Sequence, residues 1–549
     1  MAIYRADQTQ LTFGVEAAPG GYAELASSVT DGTGTALINN SAGYAAGTRT
    51  LTVDSLSGLT AGEFIQIGPE VSGSGTSNES EVRMVEYVDG STSITLDAPT
   101  AFFHPDNTNI QVVTAVADTD ADKYITQIPG VYETVDLPDP EMIIEPRYFL
   151  GTASKRNFYN VYSGQQTYTG SLGSFVILNG RALRFPIGQV TTTPSATASD
   201  TILLNGAAKK GDVFITCDGA DVGNIAVNDY IQIIEADGTK SEVRKVLADA
   251  SDTFKLDYPL QFDHADNAVI NEVSSSPTYT HLITETTDLD SITWHAHMKA
   301  SNSAAVTAED EDFDRRYFGG KVGNATISAD EGGMLMMSWD SVNFLGMIHN
   351  QKTNSNFGSG STNVPFYSLM KTVTSSNVNL PSTDPYYFSQ GEVTIFGQTI
   401  ARIRSFSISI NNNEEPRYYV SKQLGRRRGP TEIREQRREY TMSVSLALPD
   451  ALSATNTSAR TLFTELLLEG DYGSGKAGFD VSLVFTRGSN DTITINVPDS
   501  TAGTGGNNQG AFIRTAPHDF GAENPFQVDA DILFRNMKIT VVDSEHYYP

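Results

Sequence analysis

The chain has 549 residues, 66 of them acidic and 37 basic, for a net charge of −29. That length calls for roughly three to four domains, and so acidic a balance argues against a duplex-binding protein, whose affinity comes mostly from Lys and Arg on phosphates. The single cysteine, Cys217, excludes an internal disulfide framework and a cysteine-based zinc cluster.

The opening MAIYRADQTQLTF lacks a basic stretch followed by an apolar one, so no secretory signal is expected. No apolar run approaches the ~18 residues of a membrane span, and a soluble chain is expected. From residue 48 a small β unit is predicted, RTLTVDSLSGLTAGEFIQIG and then SEVRMVEYVDGSTSITLDAPTAFFHPDNTNIQVV. It recurs further on as VFITCDGADVGNIAVNDYIQII and then SEVRKVLADASDTFKLDYPLQFDHADNAVINEV. Ile65-Gln66-Ile67 matches Ile231-Gln232-Ile233, and Ser80 to Arg83 matches Ser241 to Arg244. His104, Asp106 and Asn107 match His264, Asp266 and Asn267, which suggests a shared turn contact.

Asp118, Asp120 and Asp122 imitate the start of a calcium loop, but Lys123 and Pro129 stand where glycine and a bidentate glutamate are needed. A second, weaker repeat follows. Glu145-Pro146-Arg147-Tyr148 returns as Glu415 to Tyr418, and Tyr168-Thr169 returns as Tyr440-Thr441. Both offsets lie near half the chain, the signature of a duplicated unit. His295 and His297 share one face of a predicted strand without an identifiable third ligand. Glu309 to Asp312 with Asp314 form an acidic run that reads as an exposed loop.

Strand periodicity dominates the rest. Phe406, Ile408 and Ile410 alternate with serines, as do Tyr440, Met442, Val444, Leu446 and Leu448 with polar residues. Phe479 to Phe485, Ile493 to Val497 and Met537 to Val541 repeat the period. One helix is expected, with Ala459, Leu462, Phe463, Leu466 and Leu467 as its apolar stripe. The glycine-rich Gly470 to Lys476 continues with Ala477, so the magnesium-binding hydroxyl of a phosphate loop is missing. No H-E-x-x-H or G-x-S-x-G occurs. No catalytic, cofactor or metal site is nominated, and no enzyme is expected.

The feature that asks for a partner is a basic arm. Arg417, Lys422, Arg426, Arg427, Arg428, Arg434, Arg437 and Arg438 crowd between two predicted strands, interleaved with Glu432 and Glu435 and flanked by Glu414, Glu415 and Glu439. Nucleic-acid patches carry fewer carboxylates. Dense mixed charge on a long excursion fits docking onto an acidic neighbour, such as another copy of this chain.

SQGEVTIFGQTIARIRSFSISINNNEEPRYYV, with GRRRGPTEIREQRREYTMSVSLAL after it, resembles the tail tube proteins of tailed bacteriophages. DRRYFGGKVGNATISADEGGMLMMSWDSVNFLGM and the opening MAIYRADQTQLTFGVE are similar to the same family. The resemblance implies a mainly β fold, a duplicated tail-tube β-sandwich with a flanking helix; the two small repeated β modules read from the sequence repeat are not part of the family's common core. The expected division is an N-terminal arm and linker over 1–47, module A over 48–115, and a first tail-tube copy over 116–202 with 275–347. Module B is inserted at 203–274, a linker covers 348–382, and the second copy covers 383–549.

It further implies a structural virion protein, made in the host cytoplasm, that forms stacked rings around an acidic conduit through which DNA passes without specific binding. A doubled chain implies trimeric rings with pseudo-sixfold symmetry, the basic arm reaching the adjacent ring. Tape measure, tail terminator and distal tail or baseplate proteins are the implied further partners, with no membrane. A β-rich surface adhesin, or a tail sheath or capsid component, is the alternative.

Overall fold

The computed structural model describes residues 4–21, 28–70, 80–90, 92–117, 124–148, 160–218, 225–250, 252–274, 277–300, 313–349, 383–395, 398–399, 403–419, 429–447, 480–488, 490–497, 510–515, 518–519 and 527–548. They are almost wholly β, with no helix of seven or more residues among them. The helix expected over 459–467 lies outside the described residues.

The alternating sequence runs do what their period requires. Phe406, Ile408 and Ile410 are buried, as are Tyr440, Met442 and Val444, and their neighbours in sequence face outward. Val481, Leu483 and Phe485, then Ile493, Ile495 and Val497, then Met537, Ile539 and Val541 line the facing sheet. The two sheets enclose one continuous apolar core. At its centre Trp339 meets Phe13, Phe175 and Phe185 edge-on with centroids 5.6–5.8 Å away, and stacks on Trp294 at 6.2 Å.

Both halves of the chain contribute to both sheets. In the larger sheet the order runs from the 131–136 edge through Thr169–Val176, Met336–Asn343 and Phe313–Asp330. It continues through Ile403–Asn411, Glu439–Ala447, Gln527–Phe534 and Ala511–Thr515. The first four strands and the last four follow one scheme. A strand before a hairpin is paired with the strand after it, and two later strands follow in reversed chain order. The sets meet where Phe313–Asp330 pairs with Ile403–Asn411, from Asn324 opposite Asn411 to Asp330 opposite Ser405.

Strand Phe313–Asp330 also bends. Its first part pairs with Ile292–Ala300 and Gly346–His349, and Ile292–Ala300 in turn carries the N-terminal strand Tyr4–Val15. At the bend Gly319 has φ +66°, and a Cβ there would stand 2.5 Å from Leu345. Only glycine meets both demands.

The repeated sequence units are separate β bodies with cores of their own. The first is a six-stranded sheet whose strands run from Ser28–Leu37 to Thr108–Ala117; the second is a closed barrel from Thr197–Leu204 to Val269–Val273. In both, the SEVR glutamate is buried between the SEVR arginine and the matched histidine. Glu81 lies 2.6 Å from Arg83 and 2.5 Å from His104, and Glu242 lies 2.5 Å from Arg244 and 2.8 Å from His264. Each carboxylate also accepts two backbone N–H groups, from Ala101 and Phe102 or from Gln261 and Phe262. The matched asparagines share a left-handed backbone, φ 64° at Asn107 and 67° at Asn267. The predicted turn contact is therefore a buried charge network that pins a turn to a strand.

The barrel fills the connection between Gly188–Pro194 and Tyr279–Glu285, which pair with each other beneath it. It is seated on the sandwich by side chains that no motif flagged. Arg244 lies 3.8 Å from the centroid of the Tyr547 ring, His546 is 2.6 Å from Asp257, and Arg184 reaches Gln261 at 3.1 Å and Asp290 at 2.5 Å. Tyr548 stacks on His281 at 4.0 Å.

Candidate assembly interface

The basic arm is a hairpin, Glu415–Arg417 paired with Glu432–Arg434. Of the eight cations, Arg417, Arg434, Arg437 and Arg438 are among the described residues; Lys422, Arg426, Arg427 and Arg428 are not. Arg417 lies 2.7 Å from Glu415, Arg434 3.0 Å from Glu432 and Arg437 3.7 Å from Glu439, each pair well exposed. Such pairs contribute about 0–1 kcal/mol. Arg438 does something else. Its guanidinium donates to Asn412 Oδ1 at 2.6 Å and to the Ile187 carbonyl at 2.9 Å, so it ties the arm's base to the sandwich.

That base is a polar cluster across the junction of the two halves. Asn412 is fully buried and donates to the carbonyls of Pro186 and Val322. Glu435 accepts from Lys321 Nζ at 2.6 Å and from the Leu289 N–H at 2.9 Å. Glu414 accepts from Asn343 Nδ2 at 3.0 Å through Oε2, while Oε1 is enclosed with no hydrogen-bond partner. Burial pushes the Glu414 carboxyl up to about 7, against the pull of Asn343 and Lys321.

A raised carboxyl holds its proton in the fold at pH values where the unfolded chain has lost it. Stability therefore falls as pH rises from the ordinary glutamate value to about 7, by roughly 3 kcal/mol at most, and then stays level. Glu414→Gln removes the titration and keeps the shape. Denaturant midpoints should be higher than wild type at pH 8 and nearly equal at pH 5.

The first half has a matching hairpin, Glu141–Arg147 paired with Asn160–Thr167. The recurrent Glu-Pro-Arg occupies the same place in both. Glu145, Pro146 and Arg147 face Tyr162, Val161 and Asn160, as Glu415, Pro416 and Arg417 face Arg434, Ile433 and Glu432. Tyr168 and Tyr440 then lead into equivalent strands, Thr169–Val176 and Glu439–Ala447. The first hairpin is apolar where the second is charged: Met142, Ile143, Ile144, Tyr148, Val161 and Tyr162 are all exposed.

The remaining sequence candidates do not converge. His295 and His297 are buried within Ile292–Ala300, opposite Thr12 and Gln10 of the N-terminal strand. No cluster of metal-ligating side chains occurs among the described residues. The aspartates at 118–122, the acidic run 309–312 and the loop 470–477 lie outside them.

Two stacked sheets, the larger with a strand order repeated side by side and a hairpin in each repeat, make up the class of fold. The chain belongs to the phage tail tube protein family, whose model matches residues 6–528. A search of curated proteins returns no match. Membership makes it a structural component of the virion tail that self-assembles and associates with other tail proteins.

Proposed function

We propose that three chains close head to tail into a ring with pseudo-sixfold symmetry, and that rings stack into the tube through which the genome leaves the particle. The observation that carries this is the doubled order of the larger sheet, which among the described residues ends on the 131–136 edge at one side and on Ala511–Thr515 at the other. Inside the chain the first set hands over to the second through Phe313–Asp330 and Ile403–Asn411. Repeating that step between chains pairs the two ends of the sheet. Two sets per chain and three chains give six. The expected native mass of an isolated ring is three chains, and six chains per ring would reject the reading.

The net charge of −29 supports an acidic channel wall, along which a polyanion slides without counterion release. Modules A and B then project outward, where their bulk does not obstruct the channel, and synthesis takes place in the host cytoplasm. Tape measure, terminator and distal tail or baseplate proteins meet the two ends of the tube.

The 414–439 arm is the contact to the adjacent ring. Arg417, Arg434 and Arg437 have partners within their own hairpin, so the test falls on the three consecutive arginines between its strands in the sequence. Arg426, Arg427 and Arg428 replaced together by Ala should leave the melting temperature unchanged and shorten tubes in electron micrographs. Raised salt should shorten wild-type tubes in the same direction. Tubes of wild-type length at every salt concentration would make the arm a solvated hairpin.

A further inference from the structure

The junction inside the chain is a template for the junction between chains, and it can be read residue by residue. Glu145 corresponds to Glu415 through the shared Glu-Pro-Arg, so Ile144 corresponds to Glu414. Thr169 and Thr441 follow the matched Tyr168 and Tyr440 and occupy equivalent strands. Thr169 faces Asn343 and Thr441 faces Leu533, so Asn343 corresponds to Leu533. Asn343 faces Lys321 and Leu533 faces Phe512, so Lys321 corresponds to Phe512.

Within the chain this site is polar, with Glu414 accepting from Asn343 and Lys321 close by on Glu435. At the corresponding positions every one of the three residues is apolar: Ile144, Leu533 and Phe512. Ile144 is 61% exposed and Leu533 41% exposed in the single chain; Ile144 lies on the hairpin that leads into Thr169–Val176, near the first end of the larger sheet, and Leu533 on Gln527–Phe534, the last strand but one at its other end. Two large apolar side chains, exposed at the two positions that touch when the template is repeated, point to each other.

We infer that Ile144 of one chain packs against Leu533 and Phe512 of the next, so that the ring is closed by an apolar copy of the polar internal junction. The partner is a second copy of this chain. The same template assigns Tyr148, 68% exposed, to the neighbour. Its counterpart Tyr418 donates to the Gln166 carbonyl at 3.1 Å inside the chain, and the counterpart of Gln166 is Arg438. Exposed apolar area covered in this way is insensitive to salt, unlike the charged arm.

This inference rests on the ring reading, and the two can fail separately. In Ile144→Cys with Leu533→Cys, a short bismaleimide should link chains into dimers and trimers on a denaturing gel, with trimers the largest species. Neither single variant should do so, because the natural Cys217 is buried. Tubes in the micrograph of the same sample without linked chains would overturn the assigned contact and leave the ring standing. A wild-type ring whose native mass is not three chains would overturn the ring itself.

A second pair guards against loss of assembly in the cysteine variant. Ile144→Glu alone should abolish rings while leaving the melting temperature unchanged. Ile144→Glu with Leu533→Asn, which rebuilds the Glu414 and Asn343 pair between chains, should restore them. Rings that persist with Ile144→Glu alone, or fail to return in the double variant, would overturn the inference.

Discussion

Arg244→Met should destabilise the barrel by about 3–5 kcal/mol, the cost of leaving a buried carboxylate without its cation. Arg244 and Glu242 are both buried. The arginine also donates to the Pro259 carbonyl at 2.8 Å and covers the Tyr547 ring, so the substitution loosens the barrel's seat as well as its interior. Burial alone would raise the Glu242 carboxyl, but Arg244 and His264 outweigh it and hold it below the usual range.

A depressed carboxyl contributes stability above its unfolded value and loses it as pH falls through the folded value. Without the arginine Glu242 takes up a proton more readily, so the gap between variant and wild type should narrow in acid. Chemical denaturation at pH 7 and pH 4, followed by proteolysis within 197–273, measures both effects. Arg83→Met gives an internal comparison, because it breaks the same network in the first module, where Arg83 pairs with Glu81 and donates to the Pro99 carbonyl at 3.0 Å.

Trp339→Ala should cost a similar ~3–5 kcal/mol by a different route, through lost transfer energy and a cavity in the sandwich. The indole is fully buried among four aromatic rings from separate segments of chain, Phe13, Phe175, Phe185 and Trp294. A collapse that refilled the space would have to move three other strands of the larger sheet and the 184–187 connection. Only two tryptophans occur, so the remaining fluorescence reports Trp294 directly. As a control, Leu533→Ala on the same sheet removes an exposed side chain and should change single-chain stability by less than about 0.5 kcal/mol. Denaturant titration of both variants checks the contrast.

Much of this was legible in the sequence because it depends on local period. In the alternation from Phe406 to Ile410 and from Tyr440 to Val444 the apolar residues are buried and the residues between them are half-buried or exposed. The module repeat was legible for a stronger reason: a buried Glu-Arg-His network admits few substitutions, so Glu81 and Glu242 kept their neighbours. Pairing of one half with the other was not legible. Nothing about Asn324 or Asn411 marks them as opposite each other, since register between distant strands follows from the whole sheet. The seat made by Tyr547, Tyr548 and Arg184 was missed for the same reason. The Glu-Pro-Arg repeat was visible, but only the hairpin register turned it into a correspondence between Ile144 and Glu414.

The barrel's position has a consequence for how such a chain acquires new surfaces. The chain leaves Gly188–Pro194 and returns to Tyr279–Glu285 at paired positions, Pro194 opposite Tyr279, and inside the barrel Thr197 is again opposite Val273. The corresponding hairpin of the second half, Val481–Thr486 with Thr492–Val497, closes over a turn at 487–491. A folded body whose two ends already lie side by side adds almost nothing to the entropy of closing the hairpin beneath it. The site behaves as a socket. Any compact domain with adjacent termini and a polar face for Arg184 and Tyr547 meets its requirements, and one body can be exchanged for another there without disturbing the two sheets beneath it.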